Sequence, residues 1–112
     1  MKNEILEAIK DLQVNISDID NGQELYEELD YDGRMHEIID GNIDIYYHDL
    51  REWAVKNWDW VEEANSEGLG TNGADYHKDI QAGQFMELSE KAYLLVDEIF
   101  EELKTEEYET NN

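Results

Sequence analysis

Thirty Asp and Glu side chains against 8 Lys and Arg leave this 112-residue chain with a formal net charge of −22. No other feature limits the fold so strongly. The few cations cannot pair so many carboxylates, so nearly all must face water, and the compact state must hold against their mutual repulsion. Strong charge of one sign produces disorder when apolar content is low. Here 40% of residues are apolar or aromatic, with 3 Trp, 7 Tyr, 2 Phe and no Pro. The chain is therefore expected to fold, as a single acidic helical domain over residues 1–107 with a frayed tail at 108–112.

The charge also excludes partners. Binding nucleic acid requires basic groups that displace counterions from phosphate, and an anionic membrane surface attracts Lys and Arg, so neither is an expected partner. No apolar run approaches the roughly 18 residues of a membrane span. The start does not read as a signal peptide. With no Cys in the chain, disulfides, thiol nucleophiles and Cys-held metals are excluded. Asn15-Ile16-Ser17 matches a glycosylation sequon and, without a secretory signal, reads as chance.

Hydrophobic periodicity points to helices. Ile5, Leu6, Ile9 and Leu12 share one face of a first helix with Asn3 as N-cap. Val14 and Ile16 alternate as in a short extended piece that ends at Asn21-Gly22, and a short helix follows near Gln23–Leu29. After the Asp32-Gly33 turn comes a short run, Arg34–Asp40. From Ile43 through Tyr46, Tyr47, Leu50, Trp53, Ala54 and Trp58 to Val61 the apolar residues recur at spacings of three and four, the pattern of a long helix with a wide buried face. Trp60 falls off that stripe. Residues 65–74 form a loop, and a last helix runs from Asp75 or Tyr76 to about Glu106 on Ile80, Phe85, Leu88, Ala92, Leu95, Val96, Ile99 and Leu103. Gly83 inside it costs about 1 kcal/mol against Ala and marks a candidate bend. The expected fold class is mostly α: a small elongated helical domain with two long amphipathic helices and an acidic outer face.

The motifs that resemble chemistry fail on context. Gly68-Leu69-Gly70-Thr71-Asn72-Gly73 spells G-x-G-x-x-G, but an acidic helix precedes it where a dinucleotide site needs a strand. It reads as a flexible linker. Asp18-x-Asp20 and Asp30-x-Asp32-Gly33 lack the Gly and bidentate Glu positions of a calcium loop. His36-Glu37-Ile38-Ile39-Asp40 lacks the second His of H-E-x-x-H. Ser17, Ser66 and Ser89 have no nucleophile context, and His36, His48 and His77 stand apart. No catalytic residue, cofactor or metal site is assigned, and the expectation is a non-enzymatic protein.

What remains is the carboxylate pattern. Duplex DNA carries one charge per about 1.7 Å, so a charge of this size corresponds to roughly 37 Å of duplex. A globule of this length is about 34 Å across. Glu87, Glu90, Asp97 and Glu101 fall along one line of the last helix, interrupted by Leu94, with Glu98, Glu102 and Glu106 in a parallel line. Like charges four apart cost a few tenths of a kcal/mol each. Repeating that cost is consistent with a surface selected for its charge. Such a surface could enter a basic DNA channel by the electrostatic steering that DNA itself exploits.

Met35-His36-Glu37-Ile38-Ile39, then Tyr46-Tyr47-His48-Asp49-Leu50, Gly68-Leu69, Ile80-Gln81-Ala82, Leu95-Val96-Asp97-Glu98-Ile99 and the acidic run from Glu101 to Glu109 follow in an order that resembles the phage anti-restriction DNA-mimic family typified by Ocr. The resemblance covers roughly residues 30–109. The acidic tail is shorter than the family's, the loop is richer in Gly, and the N-terminal segment does not match. What it implies is a helical homodimer that imitates bent duplex DNA, acts in the cytoplasm of a bacterial host, is encoded by a phage or mobile element, and occludes the DNA channel of a restriction-modification enzyme. Candidate mimic carboxylates are Asp44, Asp49, Glu52, Asp59, Glu62, Glu63, Glu87, Glu90, Asp97, Glu98, Glu101, Glu102 and Glu106. Tyr46, Tyr47, Trp53, Trp58 and Trp60 are candidate core or dimer aromatics. Three other readings stay open: an anti-CRISPR-type inhibitor, an acidic binding module or chaperone for a basic nucleic-acid-binding protein, and a salt-adapted protein whose acidity serves solubility.

Overall fold

A computed structural model describes residues 1–45 and 50–111, with side chains as far as residue 106. The chain is 77% helix with no strand among the described residues. Five helices follow in order: α1 (Lys2–Asp11), α2 (Gly22–Asp30), α3 (Arg34–Gly41), α4 (Leu50–Ser66) and α5 (Tyr76–Asn111). The two long ones are α4, with 17 residues, and α5, with 36. None of the described helices is long and apolar enough to cross a membrane. The chain divides into two compact units, one of residues 1–39 and 91–112, the other of residues 40–90.

In the first unit α1 begins at Lys2, so Asn3 lies inside the first turn and caps nothing; Met1 occupies the cap position without a side-chain hydrogen bond. The buried face of α1 is Ile5, Ala8 and Ile9. The helix ends where Gln13 takes a left-handed φ of 53° and the Val14 N–H reaches back to the Ile9 carbonyl at 3.1 Å, a Schellman closure made without glycine. The expected extended piece is absent. Ile16–Asp18 form a 3₁₀ turn, because the Asn15 side chain accepts from the Ser17 N–H and offers the backbone a local bond in place of a strand partner.

Asn21 then caps α2 by accepting from the Glu24 N–H at 2.8 Å. Gly22, the first residue of α2, meets α5 so closely that a Cβ there would lie 2.9 Å from the Asp97 Cα. One turn on, Tyr26 packs its ring 5.0 Å from that of Tyr93. Advancing along α2 therefore means retreating along α5: the two helices are antiparallel. Lys2 binds Glu102 at 3.2 Å and Arg34 binds Asp11 at 2.8 Å, tying α1 to α5 and α3 to α1.

The second unit has a core of Ile43, Ile45, Ala54, Val61 and Ile80, flanked by Leu50, Trp53, Phe85 and Leu88. Ile43 is buried as expected but is not helical. The side chain of Gln84, itself buried, holds its segment instead: its oxygen accepts from the Asp44 and Ile45 N–H groups at 3.2 and 3.3 Å, and its amide donates to Asp44 at 2.6 Å. Within α4 the backbone leaves helical geometry at Asn57, whose side-chain amide donates to the Trp53 carbonyl. Ala54, Val61 and Ala64 are buried and Asn57 and Trp60 half-buried, while Trp58 is exposed. Trp58, expected on the buried stripe, is thus exposed, and Trp60, off that stripe, is half-buried. The covered row is 54–57–61–64, and Trp58 sits one residue, about 100°, off it.

Gly83 lies within α5, which continues as helix through it. It is the point where α5 crosses α4: a Cβ there would stand 2.8 Å from Val61 Cγ2 and 3.1 Å from the Val61 Cα. Helix propensity alone predicts that Gly83→Ala adds about 1 kcal/mol of stability. Overpacking against a buried β-branched residue and its backbone costs about 1–3 kcal/mol and should reverse the sign. The expected outcome is a lower denaturation midpoint with an unchanged urea m-value; a variant as stable as wild type or more so contradicts the close crossing.

Candidate functional site

The chemistry of this protein lies on its surface. Every described carboxylate side chain is exposed except Glu24, Asp75 and Glu87, which are half-covered, and Asp79, which is buried. The amphipathic helices cause this, since each turns its apolar row inward and leaves its acids outside. Among the nominated residues, Asp44, Glu52, Asp59, Glu62, Glu63, Glu90, Asp97, Glu98, Glu101, Glu102 and Glu106 are exposed and Glu87 is half-covered. Asp49, Tyr46 and Tyr47 lie outside the described residues, as does His48. Trp53 is half-buried and packs on the second unit's core. Among the described residues, no group of three or more His, Asp or Glu is arranged to hold a metal ion.

The carboxylates are not equally dense. On α4, Glu52, Asp59, Glu62 and Glu63 share their helix with Arg51 and Lys56, and Lys56 reaches Glu52 at 3.5 Å. On α5, Asp97, Glu98, Glu101, Glu102 and Glu106 fall within about 14 Å of helix axis. One strand of duplex places about four phosphates in that distance. The intervening cation, Lys104, leans over the Phe100 ring at 5.7 Å from its centroid, while Lys2 offsets part of Glu102. The five together therefore approach the linear charge density of a single DNA strand.

Sequence periodicity passed over another set. Glu27, Glu28 and Asp30 on α2 are exposed, on the helix whose start meets α5 at Asp97 and whose course then leads past Tyr93, away from this run. The signal was present: Leu25 and Leu29, four apart and fully buried, fix which side of α2 faces out. Between the helices, burial raises the Tyr26 hydroxyl pKa above its ordinary value, with Asp30 and Tyr93 adding to the effect.

The G-x-G-x-x-G loop has the backbone geometry of an anion cradle, but the protein fills it. Asp79, 4% exposed, accepts from the Thr71 hydroxyl and the Thr71 N–H, both at 2.6 Å, and from the Gly73 N–H at 2.8 Å. These bonds, led by the Thr71 hydroxyl, hold its carboxyl below the ordinary carboxylate pKa. Asn65 accepts from the Asn72 N–H, and Gly68, at φ 80°, ends α4 with the Leu69 N–H on the Ala64 carbonyl. The loop expected to be a flexible linker is tied at both ends. No family model, curated protein or solved structure matches the chain.

A depressed pKa means the unfolded chain binds the Asp79 proton more readily. Its contribution is complete above the unfolded value of about 3.9 and is lost as pH falls through the lower folded value. Asp79→Asn should cost about 1.5 kcal/mol at neutral pH, at the low end for charged hydrogen bonds because only a loop covers the site. The stability gap between variant and wild type should close below about pH 4. A gap unchanged from pH 7 to pH 3, read by chemical denaturation, contradicts this assignment.

Proposed function

We propose that this protein is a non-enzymatic DNA mimic of the phage anti-restriction type, which inhibits a host-defence enzyme by occupying its DNA-binding channel. The observation that carries the reading is the run of five exposed carboxylates on α5 between Asp97 and Glu106, whose average density along the helix axis is close to that of the phosphates of one strand. The net charge of −22 supports it, as does the exposure of the acids of α2. The ordered resemblance to the family of phage DNA mimics points to restriction-modification enzymes as the first targets to test.

The same reading includes a homodimer. On α4, Val55 is 78% exposed and Trp58, one turn on, 45%. Arg51 and Glu62 flank them on the same side of the helix, so a second α4 laid antiparallel would set Arg51 against Glu62 at both ends. Sedimentation of the free protein checks this part, a monomer at every concentration contradicting it.

The function itself is tested by competition. The protein should displace a duplex from a type I restriction complex and block cleavage, with its affinity falling as salt rises, as affinity for DNA does. Unchanged DNA binding and cleavage across several restriction enzymes, at low salt and excess inhibitor, would refute it.

A further inference from the structure

The first unit carries a surface cavity of about 300 Å³ lined by Leu12, Val14, Glu28, Tyr31 and Asp32. Its two sides come from separate irregularities of the chain. The left-handed turn at Gln13 presents Leu12 and Val14 on either side of it. The end of α2 supplies Glu28 and, one turn later, Tyr31 and Asp32. Tyr31 is 93% exposed, so an aromatic ring stands almost wholly in water at the rim of a hollow lined by two aliphatic side chains and two carboxylates.

The charges there are of one sign. Glu28 is in no ion pair among the described residues. Asp32 uses one oxygen to accept from the Arg34 N–H at 3.3 Å, while the Arg34 guanidinium, whose field Asp32 shares, is hydrogen-bonded to Asp11. An anion would be repelled from this hollow, and a neutral apolar group would strip water from two carboxylates without replacing it. A cation with an apolar stem satisfies every wall. Arginine fits better than lysine: its plane stacks on an aromatic face, its fork matches a carboxylate, and it gives up water more readily.

We infer that the Leu12–Val14–Glu28–Tyr31–Asp32 cavity is an anchor pocket for an arginine side chain of the partner protein. The inference rests on the proposed function, because a channel built to hold DNA displays arginines. The pocket gives the complex one stereospecific contact in addition to the charge contacts of the α5 run.

The test titrates the full-length ¹⁵N-labelled protein, at constant ionic strength, with N-acetyl-arginine methylamide. N-acetyl-citrulline methylamide is the uncharged control. Saturable amide shifts should concentrate at Val14, Tyr31 and their neighbours, and the citrulline derivative should bind at least about tenfold more weakly. Tyr31→Ala, at a position too exposed to affect folding, should weaken binding about fivefold, and Glu28→Gln should weaken it as well. Shifts spread evenly over all exposed acids, equal binding of citrulline, an unchanged Tyr31→Ala titration, or no saturable shift at these amides would each overturn the pocket. Since the probe is a single amino-acid derivative, its failure leaves the DNA competition result standing, and failure of that competition leaves this measurement intact.

Discussion

Mutual repulsion among the carboxylates is the constraint to which the rest of the structure answers. Two like charges about 6 Å apart in water repel by roughly 0.7 kcal/mol before salt screens them, and acids four apart on a helix, such as Asp97 and Glu101, stand at about that separation. The fold can tolerate this only by giving each carboxylate the high dielectric of open water. Helices with a narrow apolar row allow it, since more than half of each circumference stays outside. Where two helices must approach closely, a glycine removes the side chain from the crossing: Gly22 against Asp97 in the first unit, Gly83 against Val61 in the second.

The interior accepts two polar side chains among the described residues, Asp79 and Gln84, and both do the same work. Each hydrogen-bonds backbone N–H groups of an irregular segment that no helix or strand could satisfy, Gln84 for residues 44–45 and Asp79 for the loop at 71–73. A buried carboxylate in so acidic a protein is expensive unless its charge is spent on donors. Three short bonds from Thr71 and Gly73 do that, so among the described residues the one acid drawn inside carries structure while the others keep their water.

Periodicity made the helices legible because they are amphipathic: Leu25 and Leu29 mark α2, and Ile80, Ala92, Val96 and Ile99 mark α5. It failed where backbone hydrogen bonding decides. Ile43 belongs to the buried set of the second unit, yet its segment is held by Gln84 rather than by helical bonds. Trp58 and Trp60 differ by a rotation that spacing alone leaves ambiguous near the break at Asn57. The Asn15 turn and the left-handed Gln13 depend on side-chain and backbone bonds that hydrophobic patterns do not encode. The outward aim of the carboxylates was readable, but their relative density was not. It took the positions of Lys104 and Lys2 to single out one stretch of helix from an evenly acidic sequence.

A mimic and a merely acidic protein differ in whether position matters. The most direct measurement neutralises one carboxylate at a time, as Gln or Asn, and reads affinity for a DNA-binding defence enzyme at fixed salt. Asp97, Glu98, Glu101, Glu102 and Glu106 on α5 would be compared with Glu4, Glu7 and Glu37, all exposed. The account predicts losses of about threefold to tenfold at each α5 position, the range of a charge contact at a partly desolvated interface, and little change at the others. Equal, small losses at all eight positions would show that the charge acts as a diffuse cloud and contradict the account.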